Sequence, residues 1–290
     1  MRIFIVANFI NSETSRFLDI ARMLAYNGHD VIVITSDFSH STKRPKEDMV
    51  QYNTFKTVYL HEPGYKGNIS IKRLWSHYAW GKNVEKYLKT VKKLNVIYCA
   101  TPSLTVAVKA GKYCKCNNVK FVVDVQDLWP EAFCMVFKGA LFHFAFKPME
   151  WYANRGYTMA DLAIGVSETY VQRVLSVNKN IDKGIAVFLG NDGQLFEDSE
   201  KKYSKPYNDG IIRLCYIGSL SQSYDIKMVV DAVKLASIRT NQHIRFVALG
   251  DGVYRNDFDV YAQRKGIDAE FLIVQVDFRH GLEQIHVGLP

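Results

Sequence analysis

The chain has 290 residues, 48% of them hydrophobic and 13% aromatic, which excludes a disordered or fibrous protein and leaves room for two packed domains. Thirty-seven Lys and Arg against 29 Asp and Glu give a net charge of +8, favouring anionic partners such as nucleotides, phosphates, nucleic acid or an anionic membrane surface. Of the five cysteines only Cys114 and Cys116 are close, at a spacing foreign to zinc and redox motifs, so the thiols read as reduced and structural in a cytosolic protein, with no metal site.

The N-terminus, MRIFIVANF, lacks the apolar core and cleavage site of a signal peptide and reads as a strand over 2–7. Apolar spacing at Phe17, Ile20, Ala21 and Leu24 predicts a helix, with Asn11 or Ser12 as N-cap and Gly28 just past its end, before a strand over 31–35. The alternation continues with a strand near 55–60, a basic helix over 71–93, a strand over 95–99, a helix near 103–114 and a strand over 119–123. One or two helices follow across 132–158, then a strand over 161–166, a helix near 168–177 and a strand over 184–189. No segment reaches the roughly 20 apolar residues of a membrane span; the nearest, 133–146, is interrupted by Lys138 and His143.

Residues 190–210 are rich in Gly, Asp, Asn, Ser and Lys and read as a linker. The alternation then restarts: a strand over 211–218, a helix carrying Ile226, Val229, Val230, Val233 and Ala236, a strand over 243–250, a helix near 254–265 and a strand over 271–276. Apolar strands alternating with helices imply mostly parallel sheets. The expected architecture is α/β: a Rossmann-like domain at 1–190, a linker at 191–210 and a partial Rossmann-like domain at 211–290.

Ligands of open parallel sheets gather at the carboxyl ends of the strands, where helix N-termini turn free N–H groups toward a crevice. The first such turn, 8-NFINSETSR-16, has no glycine and so no dinucleotide fingerprint; Ser12, Thr14 and Ser15 either contact a phosphate or cap the helix. Gly218, Ser219 and Leu220 open a second turn, whose Ser219, Ser221 and Ser223 hydroxyls suit phosphate oxygens; Gly250, Asp251 and Gly252 form a third, which also reads as a plain tight turn.

In 124-DVQDLWPE-131, Asp127 either caps the next helix or faces the crevice to orient a hydroxyl. The basic helix mixes Lys72, Arg73, Lys82, Lys86, Lys89, Lys92 and Lys93 with Trp75, Tyr78, Trp80 and Tyr87, and 133–155 repeats the mixture with Lys138, Lys147 and Arg155. These are a solvated face or a peripheral contact with an anionic membrane. No helix-turn-helix, aromatic RNA-binding signature or zinc-finger spacing supports a nucleic-acid partner.

Six stretches, 23-MLAYNGHDVIVIT-35, 121-FVVDVQDLWPE-131, 160-ADLAIGVSETYVQRV-174, 189-LGNDGQLF-196, 214-LCYIGSLSQSYDIKMVVDA-232 and 247-VALGDGVYR-255, together resemble the retaining glycosyltransferases of the GT-B fold, family 4, which build bacterial surface polysaccharides. DLWPE resembles the aminosugar transferase-like subgroup of capsule and O-antigen clusters. The resemblance implies two Rossmann-like domains across a cleft, the nucleotide-diphosphate sugar held mainly by the second and a lipid-linked or saccharide acceptor by the first. It implies no cofactor, and a cytoplasmic protein, peripheral on the inner membrane face.

By that resemblance Gly218, Ser219 and Leu220 approach the donor diphosphate, Gly250, Asp251 and Gly252 the nucleotide, and Asp127, with Gln126 beside it, the acceptor. The chain departs from the pattern in three places. Gln126 stands where many members have histidine. Ser219 and 223–225 stand where basic residues are common, and no glutamate pair follows 271–276, so the chain resembles a C-terminally shortened member. A nucleotide-sugar epimerase of the same fold and an inactive, shortened binding protein are the alternative readings.

Overall fold

The computed structural model describes residues 1–10, 15–47, 49–67, 70–136, 140–190, 193–203, 208–221, 224–276 and 285–288. They fall into two compact units, Met1–Asn191 and Asp192–Pro290.

Unit 1 runs β1 (Arg2–Val6), α1 (Arg16–Tyr26), β2 (Asp30–Ser36), a short pair β3 (Phe38–Ser39) and β4 (Arg44–Pro45), β5 (Lys56–Leu60), α2 (Ile71–Leu88), β6 (Val96–Thr101), α3 (Leu104–Asn117), β7 (Lys120–Val125), α4 (Glu131–Val136), α5 (Ala140–Tyr157), β8 (Leu162–Gly165), α6 (Glu168–Val177) and β9 (Gly184–Ala186). Seven strands form one parallel sheet in the order β5-β2-β1-β6-β7-β8-β9. From β1 the chain winds first to one side and then to the other, the doubly wound Rossmann arrangement.

Its strands are near-continuous apolar runs because both faces are covered. On one face Phe4, Val6, Ile32, Ile34, Ile97, Cys99, Phe121 and Val123 pack with Trp80, Val84 and Leu88 of α2, Ala107 and Ala110 of α3, and Ala153 and Tyr157 of α5. On the other, Ile5, Ala7, Val31, Val33, Tyr98 and Ala100 pack with Phe17, Leu18 and Ala21 of α1. Each large side chain so buried contributes about 1.5–3 kcal/mol.

The starts of α1 and α2 follow the cap rule. Ser15 is the N-cap of α1, accepting from the Phe17 N–H at 3.3 Å, so the cap is neither Asn11 nor Ser12, which lie outside the described residues. Ser70 caps α2 by accepting from Arg73 N–H at 3.2 Å. The basic helix ends earlier than its charge pattern suggested, with Lys89 as C-cap and Lys93 in the left-handed region at φ 59.

Unit 2 runs α7 (Gly193–Tyr203), β10 (Ile212–Ile217), α8 (Ile226–Thr240), β11 (Ile244–Leu249), α9 (Arg255–Arg264), β12 (Ala269–Val276) and β13 (Ile285–Gly288). β10, β11 and β12 are parallel, and β13 adds antiparallel to β12. One apolar cluster, including Ile226, Val230 and Val233 of α8, Phe258 and Ala262 of α9, and Phe246, Ala248 and Phe271 of the strands, lies on one side of this sheet. On the other side Cys215 and Ile217 are exposed, Ile217 by 76%.

The segment read as a linker, 191–210, thus carries helix α7. Among the described residues no helix is long and apolar enough to cross a membrane.

Candidate functional site

In unit 1 the winding reverses between β1 and β6, and the carboxyl ends of strands at such a reversal border a crevice. Asp124 lies at that edge near the end of β7, between Ala100 of β6 and Ile164 of β8, and is fully buried. A carboxylate there stands only if cations and donors replace its water. Arg16, the first residue of α1, donates from Nε to Oδ2 at 2.9 Å; Tyr98 donates its hydroxyl to the same oxygen at 2.5 Å; Gln126 donates from Nε2 to Oδ1 at 2.8 Å. Burial disfavours the Arg16 charge, yet the Asp124 carboxylate outweighs it and raises the guanidinium pKa. Burial and the adjacent carboxylate likewise raise the Tyr98 phenol, which stays protonated as a donor. Arg16 also donates from Nη1 to the Val187 carbonyl at 2.8 Å, linking α1 to the segment after β9.

A second cluster surrounds the start of α2. The Arg73 guanidinium lies 4.5 Å from the Trp129 ring centroid, 5.5 Å from that of Tyr65 and 6.0 Å from that of Phe9. Its Nε donates to Nε2 of His77 at 3.4 Å, and Nδ1 of His77 is hydrogen-bonded to the Asn8 amide at 3.2 Å. The His40 Nδ1 lies 2.5 Å from the Tyr65 hydroxyl and 3.2 Å from the Lys43 ammonium. Burial, then Arg73 and His40, push His77 down to about 3; burial, then Lys43 and Arg73, push His40 down to about 4. Both imidazoles are neutral near pH 7 and accept from the cations beside them. Burial lowers the Arg73 pKa, while Tyr65, Asp127 and Glu62 act to raise it. Burial also raises the Glu62 carboxyl against hydrogen bonds from Ser36, Ser76 and Asn8.

Asp127 lies at this second cluster: its Oδ2 accepts from Trp129 Nε1 at 3.0 Å and its charge bears on Arg73. It does not cap α4, which begins at Glu131; Glu131 itself pairs with Arg173 of α6. Gln126 is turned the other way from Asp127, its amide on Asp124 and its N–H on the Thr101 carbonyl at 3.3 Å, so it supports the buried carboxylate. Asp124, Arg16 and His77 are residues of this arrangement that sequence reasoning missed, and Arg73 was read only as part of the basic helix face. The available signal was Asp124 itself, a carboxylate closing an apolar strand and therefore in need of a cation.

Ser15 serves as the α1 cap, and Ser12 and Thr14 lie outside the described residues. The aromatic residues of α2 divide: Trp80 is fully buried and Tyr87 half-buried against the core, while Trp75 and Tyr78 are exposed.

In unit 2 the turns after β10 and β11 lock into each other. Leu220 N–H donates to the Asp251 carbonyl at 2.9 Å and Tyr254 N–H to the Leu220 carbonyl at 3.2 Å. A Cβ on Gly250 would sit 1.9 Å from the Gly218 carbonyl oxygen, and one on Gly252 2.1 Å from that of Leu220. These glycines are required by backbone packing of one turn on the other. Leu220, expected at the donor diphosphate, has its side chain fully buried in the core and its N–H and carbonyl both engaged, so it shapes the turn. Ser219 and Asp251 remain exposed at the strand ends, the Asp251 carboxylate accepting from its neighbour Gly252 N–H at 2.7 Å. Among the described residues no group of His, Cys, Asp and Glu is placed to hold a metal ion.

A cavity of about 510 Å³, lined in part by Arg2, Asp30, Lys56, Tyr87 and Lys92, opens at the amino ends of β1, β2 and β5, the edge opposite to Asp124. Arg2 and Asp30 already pair with each other there at 2.8 Å. The strand-carboxyl edge is the better candidate, because helix starts and buried ionic groups converge there.

Neither a family model nor a curated protein matches the chain by sequence. Solved structures share its fold. The apo form of the lipopolysaccharide outer core galactosyltransferase WaaB is 16% identical, with a TM-score of 0.55 over 95% of this chain and 68% of its own. WaaG, a glycosyltransferase involved in lipopolysaccharide biosynthesis, is 14% identical, with a TM-score of 0.57 over 96% and 71%. Anabaena Alr3699/HepE in complex with UDP is 14% identical, with a TM-score of 0.63 over 96% and 70%. Such identities establish the fold: two Rossmann-like α/β domains of the GT-B glycosyltransferase architecture, with the chain spanning about 70% of each neighbour.

Proposed function

We propose that the protein transfers a sugar from a nucleotide-diphosphate donor to a lipid-linked or saccharide acceptor, with retention at the anomeric carbon, in bacterial surface-polysaccharide assembly of the capsule or O-antigen kind. The reaction takes place in the cytoplasm, at the inner face of the membrane. The observation that carries this reading is the placing of polar groups at strand-carboxyl ends in both units, half-buried at Asp127 and exposed at Ser219 and Asp251, within a fold whose solved examples include one in complex with UDP.

In this reading unit 2 holds the donor. The Ser219 hydroxyl and backbone N–H groups at the start of α8 face the diphosphate, whose charge grows as the glycosidic bond breaks. Asp251 lies at the neighbouring turn for the nucleotide. Unit 1 takes the acceptor: Asp127 orients the attacking hydroxyl beside Arg73, which sits among Trp129, Tyr65 and His77. The nucleotide sugar is a substrate, and the reaction needs no further cofactor.

The test is incubation with labelled nucleotide sugars and a polyprenyl-diphosphate saccharide acceptor, with separation of the products. Label on the acceptor with its anomeric configuration kept supports the proposal. An epimerised sugar still on its nucleotide identifies an epimerase instead, and calorimetry without any nucleotide binding identifies an inactive protein. Asp127→Asn is expected to lower the turnover by roughly 10²-fold while leaving nucleotide affinity unchanged; unchanged turnover would remove Asp127 from the mechanism.

A further inference from the structure

At the amino edge of the unit 1 sheet, β1, β2 and β5 meet the end of α2 around the cavity of about 510 Å³. Hollows of this size take small organic ligands where an apolar floor carries a few polar groups. Here the floor is Phe4, Ile32, Phe55, Tyr87 and Val91. Phe4 and Ile32 belong to the core, and the Tyr87 ring centroid lies 6.2 Å from that of Phe4. The rim is polar, made by Arg2, Asp30, Thr54, Lys56 and Lys92.

That rim carries more cation than the fold itself uses. A helix end leaves carbonyl oxygens unpaired, which alone would attract lysines. At the end of α2, however, those oxygens already have donors. Thr90 gives its N–H and its hydroxyl to the Tyr87 carbonyl at 2.9 and 2.7 Å, Val91 N–H donates to the Leu88 carbonyl at 3.1 Å, and Arg2 Nη1 donates to the Lys92 carbonyl at 3.2 Å. Asp30, the single carboxylate of the lining, is held by Arg2 at 2.8 Å. Lys56 and Lys92 are exposed and enter none of the ion pairs among the described residues of unit 1.

Two ammonium groups above an apolar floor suit a compact dianion with an apolar body. Lysine is a point charge with three donors, which fits the several oxygens of a phosphate. The Thr54 hydroxyl is a further donor, and so is the Tyr87 phenol, whose pKa burial raises against the lowering effect of Arg2. Tyr87 is in the last turn of α2 and Arg73 in its first, about 21 Å apart along the axis. A ligand here is therefore clear of the cluster around Asp127.

We propose that this cavity binds a small organic phosphate, with the phosphate between Lys56 and Lys92 and a compact apolar body against Tyr87 and Val91. A ligand bound there leaves the strand-carboxyl edge free to work, so it is an effector and not a reactant. The site belongs to unit 1 alone and stands whether or not the protein transfers sugar.

The experiment is calorimetric titration of the whole protein with phenyl phosphate, inorganic phosphate and benzyl alcohol, with backbone amide shifts followed by NMR. Phenyl phosphate is expected to bind once per chain, to weaken with added salt, and to shift the amides of residues 54–56 and 87–92. Inorganic phosphate and benzyl alcohol each lack one half of the contact and are expected to bind at least about tenfold more weakly. Lys56→Ala with Lys92→Ala is expected to weaken phenyl phosphate at least about tenfold. Thr54→Trp fills the cavity with both lysines in place and is expected to abolish binding. Thermal unfolding should be unchanged in both variants, the positions being exposed. No binding of phenyl phosphate, equal binding of inorganic phosphate, or full affinity in either variant overturns the proposal. So does displacement by UDP with amide shifts at the unit 2 turns, which would place the phosphate there. Phenyl phosphate bound as expected by a protein that binds no UDP would count against the transferase reading alone.

Discussion

Unit 1 covers its sheet on both faces, with separate apolar clusters above and below; unit 2, among its described residues, has one cluster on one face. The difference determines where charge resides. Unit 1 holds Asp124 and Glu62 in its interior beside Arg16 and the uncharged His77. The ion pairs of unit 2, Arg213 with Asp209, Lys265 with Asp231, and His243 and Arg245 with Asp268, lie toward solvent. A sheet dry on both sides fixes ionic side chains by hydrogen bonds. A half-covered sheet presents its site through backbone turns, and the interlocked glycines at 218, 250 and 252 are that solution.

The largest expected effect tests the buried charge. Asp124→Ala leaves Arg16 unpaired inside unit 1 and is expected to cost about 3–5 kcal/mol. Trp75, Trp80, Trp129 and Trp151 are the four tryptophans of the chain, so urea unfolding followed by tryptophan emission reads unit 1 alone; a loss below about 1 kcal/mol would mean that the pair is not held dry. Next, Gly250→Ala sets a Cβ against the Gly218 carbonyl and is expected to cost unit 2 about 3 kcal/mol, read as faster amide exchange in β10 and β11 with the tryptophan transition unmoved.

Acid should separate the units further. His77 and His40 are pushed down to about 3 and about 4 from 6.5, so between those values and 6.5 the unfolded chain binds more protons than the folded one. That contribution is complete above pH 6.5 and is lost as pH falls, with a slope of at most about 1.4 kcal/mol per pH unit for His77. In unit 2 Asp231 and Asp268 are depressed from 3.8, so their contribution is lost only below that pH. Urea titrations at pH 7 and pH 5 should show unit 1 weakening first, and equal weakening would break the contrast. Smallest, Ile217→Ser on the open face of β10 should change stability by less than about 0.5 kcal/mol by amide exchange; a loss of several times that would show that this face is covered.

The strand-helix alternation was legible because fully buried strands must be apolar along their length, as in VIVIT and VKFVV, and because Gly and Asn mark their ends. What failed to show is of two kinds. The β3–β4 pair is too short for a period, and α7 is too polar to display one. The candidate region, the strand ends at Asp127 and the unit 2 turns, was legible, but the wiring of its side chains was hidden. Arg16 meets Asp124 across 108 positions, and Arg73 reaches Trp129 from another helix; no local pattern encodes either pairing. The burial of Leu220 was not legible because its neighbours Gly218 and Ser219 resemble a binding turn, and only the packing shows the apolar side chain turned into the core.

The bond from Arg16 to the Val187 carbonyl spans 171 positions. A growing chain makes α1 early and must wait until residue 187 has left the ribosome before this helix can be bolted at its first residue. Closure over so long a separation is slow, so the first turn of α1 receives this last anchor well after Phe17, Leu18 and Ala21 have packed on the sheet. A chain ending at residue 180 is expected to exchange the first-turn amides of α1 faster than the full chain, while β1, β2 and β6 stay protected.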